Sequence, residues 1–252
     1  MSSGVVVRWV LAGALLLGAA ACERKPVESP YFPLEVGRTW RYTLKPDPMG
    51  EDEEPVELTV ASLGPEQVSG QRVTRQKIDL AGEAHFLFIG VDENGVFRFA
   101  TQSPGEAAPS VDVERDYFLS NPLTVGNSWK GKGAPSFLGV PDVAVPIEST
   151  VESTTDTVKT PAGEFANCLK INVTGSMEIT DDDEEEEEPA HNVAVTEDEE
   201  DFDLVSGKFS LREQTWYAPG VGVVKSVIEE SFDSEFDEQR VRVITELQSF
   251  TR

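Results

Sequence analysis

The chain of 252 residues is poor in the side chains that do most enzyme chemistry. It has two histidines, two cysteines and three methionines. With so few ligating groups, no typical structural or catalytic zinc site can be assembled, so no metal is expected. Basic residues are scarce as well: 21 Lys and Arg stand against 46 Asp and Glu, for a net charge of −25. Nucleic acid is therefore not expected as a partner, because its phosphates would be repelled by such a surface. The chain has no phosphate-binding loop, no dinucleotide fingerprint and no Gly-x-Ser-x-Gly turn, and no cofactor is implied. Past residue 21 there is no sustained i, i+3, i+4, i+7 apolar stripe of the kind that marks a surface helix.

The one continuous apolar run, Trp9 to Ala21, has 13 residues, too short for a bilayer span that needs ~20. It follows Arg8, the only charged residue before it, and ends Ala19-Ala20-Ala21-Cys22. That arrangement fits a secretory signal with a small-residue cleavage site. It resembles the bacterial lipobox, although Ala19 stands where that motif usually has Leu. The resemblance implies cleavage before Cys22, palmitate-type acylation of Cys22 and residence in the cell envelope. Glu23, where an Asp would favour inner-membrane retention, points to the outer membrane. The acidic mature chain offers no basic patch for anionic headgroups, so the lipid on Cys22 would be its sole membrane attachment. The expected organisation is a signal peptide over 1–21, a tether over 22–30 and a single β domain over 31–252.

Within that domain the dominant apolar period is two, the signature of half-buried strands. Val56, Leu58 and Val60 alternate with Glu57 and Thr59, and Leu169, Ile171 and Val173 with Lys170, Asn172 and Thr174. Val241, Val243 and Leu247 do the same near the C-terminus. Turn residues separate the runs at Asp92-Glu93-Asn94-Gly95, Pro161-Ala162-Gly163 and Pro219-Gly220, each a hairpin signal. The expected class is all-β: an antiparallel meander curled into a half-barrel or barrel-like sheet, which protects its edges.

An internal repeat lies in this pattern. Pro33-Leu34-Glu35-Val36-Gly37-Arg38-Thr39-Trp40 recurs as Pro122-Leu123-Thr124-Val125-Gly126-Asn127-Ser128-Trp129, 89 residues on. It marks either a duplicated subdomain or two similar strand beginnings in one barrel, with each Trp plugging an end of the core. If the sheet instead carries a groove for an apolar ligand, Trp40, Trp129, Phe97 and Phe99 are the aromatics expected to line it.

Asp181 to Glu188 are eight consecutive acids, and the segment 181–203 holds 14 in all. Such a run repels itself and buries little, so a disordered loop is expected. Weak capture of Ca²⁺ or of a basic protein surface is the functional alternative, although EF-hand spacing is absent. His85 lies in an apolar strand, His191 in the acidic loop, and Cys168 beside an alternating strand where a buried structural thiol is expected. Carboxylate pairs for a hydrolase exist by number alone and point to no particular residues.

The segments Tyr31 to Tyr42, Thr160 to Ile171 and Trp216 to Lys225, in that order, resemble the TapB-like bacterial lipoproteins. The resemblance implies a curved antiparallel sheet or half-barrel and transfers no catalytic residue; the 181–203 insertion departs from its pattern. The function expected is noncatalytic: a lipid-anchored envelope protein that binds a protein or an apolar ligand on its sheet. A structural or adhesive role with weak Ca²⁺ capture is the second reading.

Overall fold

The computed structural model describes residues 29–50, 54–133, 144–179, 206–234 and 237–251. The signal peptide, Cys22, the tether up to residue 28 and the acidic segment 181–203 lie outside the described residues. The described residues form twelve strands and no helix. The first six are β1 (Thr39–Pro46), β2 (Val56–Val68), β3 (Gln71–Leu80), β4 (Glu83–Asp92), β5 (Gly95–Gln102) and β6 (Ser110–Ser120). The other six are β7 (Ser128–Gly133), β8 (Val145–Thr160), β9 (Gly163–Ile179), β10 (Gly207–Ala218), β11 (Gly222–Ser234) and β12 (Glu238–Phe250). All belong to one antiparallel sheet in the order β6-β5-β4-β3-β2-β1-β12-β11-β10-β9-β8-β7. The sheet curls into a nearly closed barrel, the all-β meander that the period-two pattern predicts.

The three hairpin signals act locally, as turn chemistry dictates. Asp92 Oδ1 accepts from the backbone N–H of Asn94 at 2.8 Å and of Gly95 at 3.1 Å, folding β4 onto β5. Gly95 is obligatory there: a Cβ would sit 1.9 Å from the Leu119 carbonyl oxygen. Pro161-Ala162 joins β8 to β9, and Gly220, at φ +70°, turns β10 into β11. The alternation buries Ile171 and Val173 of β9 in one cluster and Phe209 and Leu211 of β10 in another, each side chain contributing roughly 1.5–3 kcal/mol by burial. Cys168 is fully buried, with its thiol on the Phe165 carbonyl at 3.3 Å; burial pushes its pKa up.

The repeat has a structural meaning: each copy opens a run of six strands. Gly37 and Gly126 adopt φ +83° and +88°, and each donates its N–H across to the next strand, to Ser62 O and Val151 O, both at 2.9 Å. The return bonds, Ser62 N to Arg38 O and Val151 N to Asn127 O, are again both 2.9 Å. Val36 and Val125 are exposed to the same degree, 66% and 64%. Five shared residue types thus build the same turn twice, and β2 and β8 begin 89 residues apart like the turns themselves.

The halves meet at two junctions. At the first, β1 and β12 form an antiparallel ladder from Trp40↔Phe250 to Pro46↔Val243. At the second, β6 and β7 face each other with no ladder between them. Side chains bridge this seam: Trp129 Nε1 donates to Tyr117 O at 2.8 Å, and Asn127 Nδ2 to Ser120 O at 3.1 Å. The Asp116 carboxylate accepts from the backbone of Lys132.

Residues 29–34 are integral to the barrel. Gly220 N donates to Pro30 O at 2.7 Å, and the Phe32 ring stacks on Phe118 of β6 at 5.7 Å with 7° between planes. Tyr217 lies against the same ring at 6.5 Å. The segment therefore runs from the β10–β11 turn to the inner side of the seam, with Leu34 and Tyr31 in the same cluster. Ser29 and Pro30, read from the sequence as the last residues of a tether, are already fastened here.

Candidate functional site

The site is the space left beside this N-terminal segment. Phe32, Pro33 and Leu34 form one wall of a cleft of about 640 Å³, and Val73, Ile89 and Val91 of β3 and β4 form the other. Pro65 and Gly220 lie at its margins. Thr74 and Ile89 are the last partners of the β3–β4 ladder; beyond it Val73 pairs with Glu66 of β2 and Val91 with Val96 of β5, so the wall is built on neighbouring ladders. The volume falls within the roughly 300–1,000 Å³ usual for small-molecule sites, and the lining is mostly apolar, as such sites require.

Four polar side chains line the cleft; Thr74 is half-buried, and the other three differ in their partners. Glu35 is held by Arg38, whose Nε lies 2.7 Å and Nη2 3.0 Å from its carboxylate. Arg72 is exposed, and its cross-strand neighbour is the uncharged Gln67. Among the described residues it has no ion-pair partner. Ser29 Oγ is buried without a hydrogen-bond partner among the described residues.

Two further clefts, of about 360 and 520 Å³, adjoin at Thr174 and Arg212 and are lined largely by polar side chains such as Asn172, Gln214 and Lys208. Their charges are mixed: Arg242 is bound to Glu229 at 3.0 Å and to Asp47. The smaller has only Val227 as an apolar lining residue, and the larger has Pro146, Ile147 and Leu211 among seven polar or charged ones.

The four aromatics expected to line a groove lie elsewhere. Trp40 is 4% exposed and donates its indole N–H to Val221 O at 2.6 Å, in a cluster with Tyr42, Val224 and Leu247. Trp129 is half-buried against a second cluster and bound to Tyr117 O. Phe97 is 1% exposed, covers Gly90 so closely that a Cβ there would meet its ring at 2.3 Å, and packs on Tyr117 at 5.4 Å. Phe99 packs against the Phe88 cluster. None of the four lines the 640 Å³ cleft. Tryptophan and phenylalanine were the visible signal, but in both repeat copies the indole N–H finds a backbone carbonyl and is used up in closing the fold. The residues that do form the cleft include Phe32, Pro33 and Leu34, an apolar run just after the expected tether, and that run was the available sign.

Buried carboxylates occur, but away from the clefts. Burial raises the Glu213 pKa, opposed by the Thr215 hydroxyl that donates to it at 2.5 Å. Glu230, 2% exposed, follows on the neighbouring strand. Tyr42 and Tyr217 are both pushed far up by burial, and Tyr42 donates to Val223 O at 3.0 Å. Neither Glu213 nor Glu230 lines any of the three clefts. His85, on β4 opposite Ile78, is likewise outside them.

No protein-family model matches the chain, and no curated protein matches its sequence. Among solved structures it is similar to a "putative lipoprotein" from Parabacteroides distasonis, at 13% identity and a TM-score of 0.32, over 88% of this chain and 98% of that one. It is also similar to a "putative exported protein with YmcC-like fold" from Bacteroides fragilis, at 14% identity and a TM-score of 0.33, over 88% of this chain and 98% of that one.

Proposed function

We propose that the mature chain is a noncatalytic, lipid-anchored protein of the bacterial cell envelope that holds an apolar ligand in the cleft between its N-terminal segment and the β3–β4 wall. The observation that supports this most is the cleft itself: about 640 Å³ with apolar residues on two facing walls. The leader and Cys22 supply the address, with the outer membrane as the expected site, in keeping with the resemblance to TapB-like lipoproteins. The ligand site and the anchor are close in the chain, since Cys22 precedes Ser29 by only seven residues.

Two measurements test the reading. Replacing Cys22→Ser should move the protein from the membrane fraction to the soluble fraction; retention in the membrane would end the anchor proposal. The soluble C22S chain should then enhance the fluorescence of the uncharged probe N-phenylnaphthylamine saturably. The variant Thr74→Trp, which fills the cleft from a half-buried position, should lose that enhancement while keeping its far-ultraviolet spectrum. A parent protein that leaves the probe's fluorescence unchanged would refute the ligand reading.

A further inference from the structure

We infer that the cleft accepts a bilayer-derived amphiphile with one acyl chain and an anionic head, the head resting at Arg72; this rests on the apolar-ligand reading above and specifies its chemistry. The argument begins with charge. In a protein with 46 acids, a basic side chain usually finds a carboxylate, and β3 illustrates it. Lys77 is paired with Asp79 at 2.9 Å, and Arg75 lies 3.6 Å from Glu66. Arg72 is the third cation on the same strand, and among the described residues it alone of the three has no acid. It is also the one that lines the cleft.

The other ionised group at the cleft does not neutralise it. Both oxygens of Glu35 are occupied by Arg38, at 2.7 and 3.0 Å, and Arg38 itself also donates to Gly220 O at 2.7 Å. The cleft therefore presents an apolar channel with one uncompensated positive charge at its wall. A guanidinium offers a planar fork of donors that suits phosphate or carboxylate. The unpartnered Ser29 hydroxyl stands at the same space and adds a neutral donor. A wholly neutral apolar ligand would leave Arg72 unused, and a small anion would leave the apolar walls bare. A single-chain anionic lipid satisfies both.

Its source follows from reach. If Cys22 carries lipid, the seven residues from Cys22 to Ser29 span at most ~25 Å when fully extended. The cleft, which begins at Ser29, is thereby confined near the membrane surface, where bilayer lipids are the concentrated amphiphiles.

The test uses the full mature chain carrying Cys22→Ser and two probes with the same palmitoyl chain: lysophosphatidylglycerol, which is anionic, and monopalmitoylglycerol, which is neutral. Each is titrated below its micellar concentration against bound N-phenylnaphthylamine at low ionic strength. The anionic lipid should displace the probe with about tenfold higher affinity, as expected for a charge-assisted contact. In Arg72→Gln, a surface change that should leave the thermal midpoint unmoved, the two lipids should become equal. Equal affinities in the parent, or a preference that survives Arg72→Gln, would overturn this inference while leaving the apolar-ligand reading intact. If the parent binds neither lipid nor the probe, the ligand reading itself falls, and this inference with it.

Discussion

The two junctions between the six-strand halves start from the same turn and finish differently. At the first, Trp40 enters β1, and β1 zips onto β12 through a ladder with one register shift between Arg41 and Tyr42, so the two ends of the domain close on one another. At the second, Trp129 enters β7, and β7 meets β6 through side chains and no ladder. The indoles report the difference. Trp40 reaches past β12 to Val221 in the β10–β11 turn, within its own buried cluster, whereas Trp129 reaches only to the facing edge strand at Tyr117. A duplicated pattern thus specifies the turn and the first hairpin of each half, but what each half docks against is set by the other half. The seam is backed from within by Phe32 stacked on Phe118, and that same segment makes the ligand cleft. Closure of the barrel and formation of the cleft therefore depend on one short stretch of chain.

The largest expected contrast comes from the two tryptophans. Trp40→Ala should cost about 3–5 kcal/mol in urea unfolding, because a nearly buried ring is lost and Val221 O is left without its donor. Trp129→Ala should cost about 1–2 kcal/mol, since the ring is half-exposed and the seam can relax. Equal costs would break the distinction between a zipped and a bridged junction. The glycines give the complementary control. Neither Gly37 nor Gly126 has any atom within 4 Å of a built Cβ, so Ala at each meets only the backbone penalty. Both Gly37→Ala and Gly126→Ala should cost about 1–2 kcal/mol, and by similar amounts. A marked inequality would show that the two turns are not equivalent.

Smaller effects belong to the seam alone. Asn127→Ala removes the bond to Ser120 O and should cost about 1 kcal/mol. Asp116 gives the pH dependence. Burial raises its pKa above the ordinary 3.8, opposed by Arg98 and by the Lys132 backbone. A raised carboxylate pKa means that folding disfavours the ionised form. Its stabilising contribution is therefore complete below the unfolded value and is lost as pH rises through the folded one. The stability of the parent relative to Asp116→Asn should accordingly improve as pH falls from about 7 to about 4. A difference that is flat with pH, or that moves the other way, would remove Asp116 from the account of the seam.

How much of this was legible in the sequence depends on how local each feature is. The hairpin at Asn94-Gly95 and the turn at Pro219-Gly220 are specified by residues within four positions of each other, and the alternation in Leu169-Ile171-Val173 needs no distant partner. The β class, the meander and the burial of Cys168 follow from such patterns. The pairing of Trp40 with Phe250 does not, because register between strands 210 residues apart is decided by which faces and ends remain after every hairpin has formed. The cleft was obscured for the same reason. It joins a segment before β1 to the start of β3 and the end of β4, and its unpaired cation, Arg72, is set apart from Arg75 and Lys77 of the same strand only by the acids those two have taken. Trp40 and Phe97 are instead buried in the core, Trp129 spans the seam half-exposed, and each indole N–H takes a backbone acceptor.

The difference between the two junctions is the central claim, and hydrogen–deuterium exchange on the soluble C22S chain tests it most directly. Amides shared between β1 and β12 should exchange only with global unfolding. Those of β7 that face β6 should exchange at least about a hundredfold faster, through local opening of a junction that has no ladder. Equal protection of the two junctions would contradict the claim, since it would require a backbone ladder between β6 and β7.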